Sequence, residues 1–156
     1  MIFATVGSHG APFDRLVTKV DDLARQTSEE VFIQSGTSSV PLTSAISARY
    51  LDQSQYDKTF AAARLIICHA GVGALLKAGS LRKPTICVPR LRRFKEVIDD
   101  HQLEICEALA AGTGLRYFTN LAQLSVRDLA DAPELILGLE PQNVGKRIAS
   151  FLSQTR

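Results

Sequence analysis

The chain has 156 residues, of which 46% are hydrophobic and 22% charged, and its formal net charge is +2. That is about one domain's worth of chain with the composition of a globular protein, which excludes disordered, fibrous and two-domain readings. So small a net charge gives no reason to expect nucleic acid as a partner. No run approaches the roughly 20 apolar residues of a membrane helix, and no basic segment precedes the opening MIFATV, so no signal peptide and a cytoplasmic location are expected.

The predicted elements alternate. IFATV (2–6) is a short apolar run of the fully buried type and reads as a strand, broken by Gly7-Ser8-His9-Gly10. Phe13, Leu16, Val17, Val20, Leu23 and Ala24 recur at helical spacing behind Pro12, which suits a first turn. VFIQ (31–34) is a second strand. The stretch 40–53 has weaker patterning, with a short strand expected near Ala45 to Tyr50. Tyr56, Phe60 and Ala63 mark a helix, LIIC (65–68) a strand, 71–80 a helix and TICVP (85–89) a strand. A long helix is expected from Ile98 through Ala110, closed by Gly112 and Gly114. LRYF (115–118) reads as a strand, 121–131 holds a short helix, and Val144, Ile148, Phe151 and Leu152 stripe a last one. Continuous apolar strands alternating with helices predict an α/β fold: a single Rossmann-like domain over 1–156, its parallel sheet covered by helices on both faces.

In such sheets ligands sit beyond the carboxyl ends of the strands. There the sequence offers His69-Ala70-Gly71-Val72-Gly73 between a strand and a helix. The two glycines permit close backbone approach, and a helix start presents unpaired N–H groups that suit a phosphate. A tight turn without any ligand fits the same residues equally well. A dinucleotide fingerprint is not met, since Leu76 stands where the third glycine belongs, and GxxxxGK[ST] is absent. The three histidines, His9, His69 and His101, all fall near strand ends, where imidazole can donate to phosphate or, when protonated, balance its charge. Cys68, Cys87 and Cys106 lie among apolar residues without metal-ligand spacing and read as small buried hydrophobes. No metal site is supported.

Five strings, MIFATVGSHGAPFDRLVTKVDDL, VFIQSG, LIICHAGVGALLKAG, KPTICVPR and VIDDHQLEIC, resemble in order the PssE-type small glycosyltransferase subunits of bacterial exopolysaccharide synthesis. Those are similar to the C-terminal, donor-binding half of GT-B (family 28) glycosyltransferases, a superfamily that includes the N-acetylglucosaminyltransferase that makes lipid II. The likeness spans roughly residues 1–118. It implies that His69, Ala70, Gly71, Val72 and Gly73 hold the diphosphate of a UDP-sugar, and that Asp100, His101 and Gln102, in the string Asp99-Asp100-His101-Gln102, meet donor-sugar hydroxyls. It also implies that Gly7, Ser8 and His9 face the same cleft. Two departures stand out. Ala74 replaces a hydroxyl residue, and Lys77 replaces the carboxylate that grips the ribose in related enzymes. Lys77 cannot accept those bonds; neutralising phosphate and facing solvent both remain open to it, with solvent the preferred reading.

A GT-B site lies between two domains, so the resemblance further implies a partner. That partner is a PssD-type, membrane-anchored subunit that binds a polyprenyl-diphosphate-linked saccharide acceptor and recruits this chain to the cytoplasmic face of the membrane. Sugar transfer would proceed with inversion, the UDP-sugar being substrate and no cofactor or metal being required. His9 is the in-chain candidate for the catalytic base. The basic stretch containing Arg90, Arg92 and Arg93 suits acceptor phosphate, anionic lipid or an acidic partner surface, and also suits a solvated loop. Three readings stay open: a donor-binding catalytic subunit, a non-catalytic stabiliser or activator of the partner, and an unrelated Rossmann-like nucleotide-binding protein.

Overall fold

In the computed structural model, which describes residues 1–138, the elements follow as β1 (Ile2–Thr5), α1 (Asp14–Ala24), β2 (Val31–Gln34), β3 (Ile46–Ala48), α2 (Gln53–Ala62), β4 (Leu65–Cys68), α3 (Val72–Ser80), β5 (Thr85–Cys87), α4 (His101–Thr113), β6 (Arg116–Tyr117) and α5 (Val126–Ala130). A short 3-10 turn, Arg92–Phe94, precedes α4. The six strands form one sheet in the order β3-β2-β1-β4-β5-β6, every adjacent pair parallel. The central strands are apolar at nearly every position because helices cover both faces. On one face Ile2, Ala4, Ile33, Ile67 and Ile86 pack against Leu16, Val17 and Val20 of α1 and Leu129 of α5. On the other, Phe3, Ile66, Cys68 and Cys87 pack against Phe60 of α2, Leu75 and Ala78 of α3, and Cys106 of α4. The three cysteines are free and buried, as small hydrophobes would be.

The chain runs outward from β1 through β2 to β3, then returns across β1 to β4 and runs outward the other way. The strand order therefore reverses between β1 and β4. Parallel α/β sheets open a crevice at such a switch point, because successive helices there leave to opposite faces. The loop after β1, carrying Gly7, Ser8 and His9, and the turn after β4, carrying His69 to Gly73, form its two lips.

Two element boundaries differ from the sequence expectation. The long helix begins at His101, not Ile98, and Ile98 is 91% exposed in the loop before it. The Asp99 carboxylate accepts the His101 N–H at 3.2 Å, and the Asp100 carbonyl accepts from Leu103 and Glu104, so the first turn closes on the acidic pair. At its other end the helix runs through Gly112, and Gly114 alone supplies the left-handed cap, at φ 70°. The stripe Val144, Ile148, Phe151 and Leu152 lies outside the described residues.

An acidic anchor fixes the edge of the sheet. Asp21 on α1 is buried, and its carboxylate accepts from the Thr43, Ser44 and Ala45 amides at 2.8 to 2.9 Å and from the Thr43 hydroxyl at 3.0 Å. Burial alone would raise its pKa, but these donors outweigh burial and hold the carboxyl below its ordinary range. The weakly patterned stretch before β3 is thereby placed by one charged side chain from another element.

Candidate functional site

The crevice is a cavity of about 450 Å³. One wall is the turn and first part of α3, with Gly71, Gly73, Ala74 and Lys77. Opposite stand Gly7 and Ser8 after β1 and Gln34 at the end of β2. Tyr50, Leu51, Gln53 and Tyr56, from the β3–α2 connection and α2, close the far end.

Gly71 is the N-cap of α3, and no side chain caps the helix. The Leu75 N–H bonds back to the Gly71 carbonyl at 3.1 Å, leaving the Val72, Gly73 and Ala74 amides as the uncapped donors of the first turn. The two glycines of the turn do different work. A side chain at Gly71 would begin 2.1 Å from His69 Nε2, and one at Gly7, which has φ 76°, would begin 2.3 Å from His69 Cε1. The imidazole is thus held between two bare backbones, and the bulk that Gly71 accommodates is the protein's own His69 ring. A side chain at Gly73 would meet nothing within 4 Å, so Gly73 is where the backbone lies open to the cavity. Ala70 is buried, and Val72 packs partly against the core, so these two serve the turn through their main chain.

His69 is pushed down to about pKa 4, first by burial and then by the positive charge of Arg90. It is a neutral imidazole at physiological pH, not a counter-charge for an anion, and its buried Nδ1 has no hydrogen-bond partner. Burial likewise pushes Tyr56 up to about 12, so its phenol keeps its proton.

Lys77 does not simply face solvent. Its ammonium pairs with the Asp57 carboxylate on α2 and lies 5.7 Å from the ring centres of both Tyr56 and Phe60. Asp57 also accepts from Gln53 Nε2 at 2.8 Å, and its carboxyl is held below the usual range chiefly by Lys77.

Arg90 is not an exposed contact for phosphate, lipid or partner. It is 0% exposed, and its guanidinium donates to the Pro12 carbonyl at 3.0 Å and the Val6 carbonyl at 3.2 Å, over the Phe13 ring at 4.5 Å. Arg92 and Arg93 are exposed, and Arg93 donates to the Thr119 carbonyl at 3.3 Å. His9 and Arg92 border a second cavity, of about 670 Å³, together with Lys95, Glu96, Ile98 and Asp99. The His9 ring accepts the Ala11 N–H at Nδ1, 3.1 Å, which leaves the neutral ring with its proton on Nε2. In that geometry Nε2 is a donor, and His9 lines the second cavity and not the one at the α3 turn.

The residues expected at the donor sugar brace the loop between β5 and α4. Gln102 Oε1 accepts the Arg90 N–H at 3.0 Å, and Asp100 Oδ1 accepts the Arg92 N–H at 2.8 Å. His101 Nδ1 lies 3.2 Å from Glu104 Oε2. None of the three lines the 450 Å³ cavity. The residues that do, and that the sequence gave no reason to single out, are Gln34, Tyr50, Leu51, Gln53 and Tyr56. Their one available signal was a position after a strand's carboxyl end. Also unforeseen was the Arg15–Glu96 pair, bidentate at 2.9 and 3.0 Å and almost buried.

Among the described residues no group of three or more His, Cys, Asp or Glu side chains is arranged to hold a metal ion, and no helix is long and apolar enough to cross a membrane.

Residues 1–127 match the family model described as the glycosyltransferase family 28 C-terminal domain. A search of curated proteins by sequence returns no match. Among solved structures, the chain is similar to the glycotransferase of kitacinnamycin, with a TM-score of 0.61 at 14% identity over 84% of this chain and 33% of that one. It is also similar to ALG13, determined by NMR, with a TM-score of 0.58 at 17% identity over 88% of this chain and 89% of that one. MurG of Acinetobacter baumannii superposes with a TM-score of 0.53 at 15% identity, covering 96% of this chain and 40% of MurG. The chain spans about a third of the length of the kitacinnamycin and calicheamicin enzymes it resembles. At these identities the likeness is one of fold, that of the C-terminal Rossmann-like half of GT-B enzymes.

Proposed function

Since the chain belongs to the glycosyltransferase family 28 C-terminal domain family, we propose that it is the donor-binding component of a two-component inverting glycosyltransferase, taking a UDP-sugar as substrate. The observation that carries this reading is the start of α3: three uncapped amides, with Gly73 open to a cavity at the switch point of the sheet. Negative charge develops on the diphosphate as the sugar leaves, and preorganised amides and a helix dipole stabilise it without reorganisation. Neutral His69, fixed between Gly7 and Gly71, contributes shape and hydrogen bonding, not charge. From the diphosphate end the cavity extends to Tyr50, Leu51 and Gln53, whose aromatic, apolar and amide character suits a nucleoside. Lys77 cannot accept from a ribose diol. Asp57 pairs with Lys77 and accepts from Gln53, both of which line the cavity.

The acceptor half, and with it the base, is supplied by a second component in this reading. His9 is set as a donor, and a one-sided cleft leaves the acceptor unplaced. We assign that component to a PssD-type membrane-anchored subunit presenting a polyprenyl-diphosphate-linked saccharide. Exposed Arg92, Arg93 and Lys95, beside exposed Phe94 and Ile98, suit its anionic surroundings. The Asp100, His101 and Gln102 segment would then meet the donor sugar from the loop it braces.

Calorimetric titration with UDP and UDP-sugars tests the reading. Gly73→Asp is the discriminating variant, because a Cβ there meets nothing within 4 Å and the variant places a carboxylate where the diphosphate lands in this reading. Saturable UDP binding that Gly73→Asp abolishes, with unchanged melting, supports donor binding. Binding that survives Gly73→Asp, or no binding to a protein that still forms its complex, refutes it and leaves the stabilising-subunit reading.

A further inference from the structure

A fully buried guanidinium with no carboxylate hydrogen-bonded to it is costly, because the low-dielectric interior does not replace the water it has lost. Arg90 is such a group. Its two bonds go to main-chain carbonyls, its Nε has no partner, and burial pulls its pKa down. Glu96, whose charge acts on Arg90, is already engaged by Arg15 through both oxygens and by the Leu91 N–H at 3.0 Å. Arg15, Glu96 and Arg90 therefore carry one net positive charge inside the domain. The carbonyls that Arg90 holds, Val6 and Pro12, are the two ends of the loop bearing Gly7, Ser8 and His9, one lip of the cleft. Its field reaches the other lip, since it helps keep the His69 ring unprotonated.

We propose that Arg90 is the positioning residue of the donor cleft: it clamps both ends of the 7–12 loop and holds an unneutralised positive charge behind the diphosphate end. An arginine suits both tasks, because its planar fork reaches two carbonyls at once and it stays ionised when buried. The charge attracts the diphosphate through protein instead of through screened solvent. The proposal rests on the donor-binding reading for its ligand, but the clamp and the field exist without one.

Three variants separate the effects: Arg90→Lys keeps a charge but not the fork, Arg90→Met removes both, and Arg90→Gln replaces Arg90→Met if that protein does not fold. Amide exchange is followed at Gly7 and Phe13, bonded to Thr5 Oγ1 at 3.2 Å and Ser38 Oγ at 2.8 Å, and the His69 ring is titrated by NMR. In Arg90→Lys these amides should exchange about tenfold faster while the His69 pKa stays depressed. In the neutral variant the His69 pKa should rise towards its ordinary value, and UDP should bind about tenfold more weakly than to wild type. A neutral variant with an unmoved His69 pKa, or amides at wild-type rates in every variant, would overturn the proposal. If wild type itself binds no UDP, the donor-binding reading fails, while the exchange rates and the His69 titration still decide the role of Arg90.

Discussion

Lowering the pH should destabilise this domain through one imidazole. His69 titrates near 4 in the folded chain against an ordinary 6.5. A base whose folded pKa is depressed binds its proton more readily when unfolded, so stability is complete above about 6.5, falls as the pH drops towards 4, and is level below that. At pH 5 the linkage amounts to about 2 kcal/mol, and it approaches about 3 kcal/mol below pH 4. Carboxylates such as Asp21 also lose their contribution in acid, so wild type must be compared with His69→Gln, which shares every other titrating group. Urea denaturation at pH 7.5 and pH 5.0 should show wild type losing about 2 kcal/mol more than the variant. Equal losses, or an NMR titration placing the ring near 6.5, would refute the claim that Gly7 and Gly71 enclose a desolvated, neutral imidazole.

The same enclosure makes Gly71 intolerant for a steric reason. Gly71→Ala should cost about 1–3 kcal/mol in wild type and far less in a His69→Ala background, so a double-mutant cycle read by denaturation should show strong coupling. Additive costs would mean that the ring is not what the new methyl meets. Asp21→Asn should destabilise by about 2 kcal/mol or more, since the amide turns a donor towards donors that are already buried. Hydrogen exchange should show the loss concentrated at Thr43 to Ala45; uniform loosening would contradict the anchor.

The fold was legible because its signals are local. Four strands read as largely apolar runs without in-out alternation, and such a run needs cover on both faces, which an α/β arrangement supplies. The turn at 69–73 was equally visible, since two glycines between a strand and a helix constrain the backbone wherever they occur. The boundary of α4 was not legible. Ile98 fits the helical period, and only the bonds made by Asp99 and Asp100 start the helix three residues later.

By itself the sequence determined that a parallel sheet would present a glycine turn at a helix start, because apolar periodicity and backbone freedom belong to individual residues. The tertiary structure decided what each charged group near that turn does. Arg90 and Arg92 lie two residues apart in one basic stretch, yet one is sealed under the loop of β1 while the other is exposed. Lys77 is tied to a carboxylate twenty residues away in sequence, and His69 is neutral because distant Gly7, brought opposite its neighbour Gly71, lets the ring sink between them. Burial and charge pairing depend on which elements the sheet order brings together, and strand order is not written in any single stretch of chain.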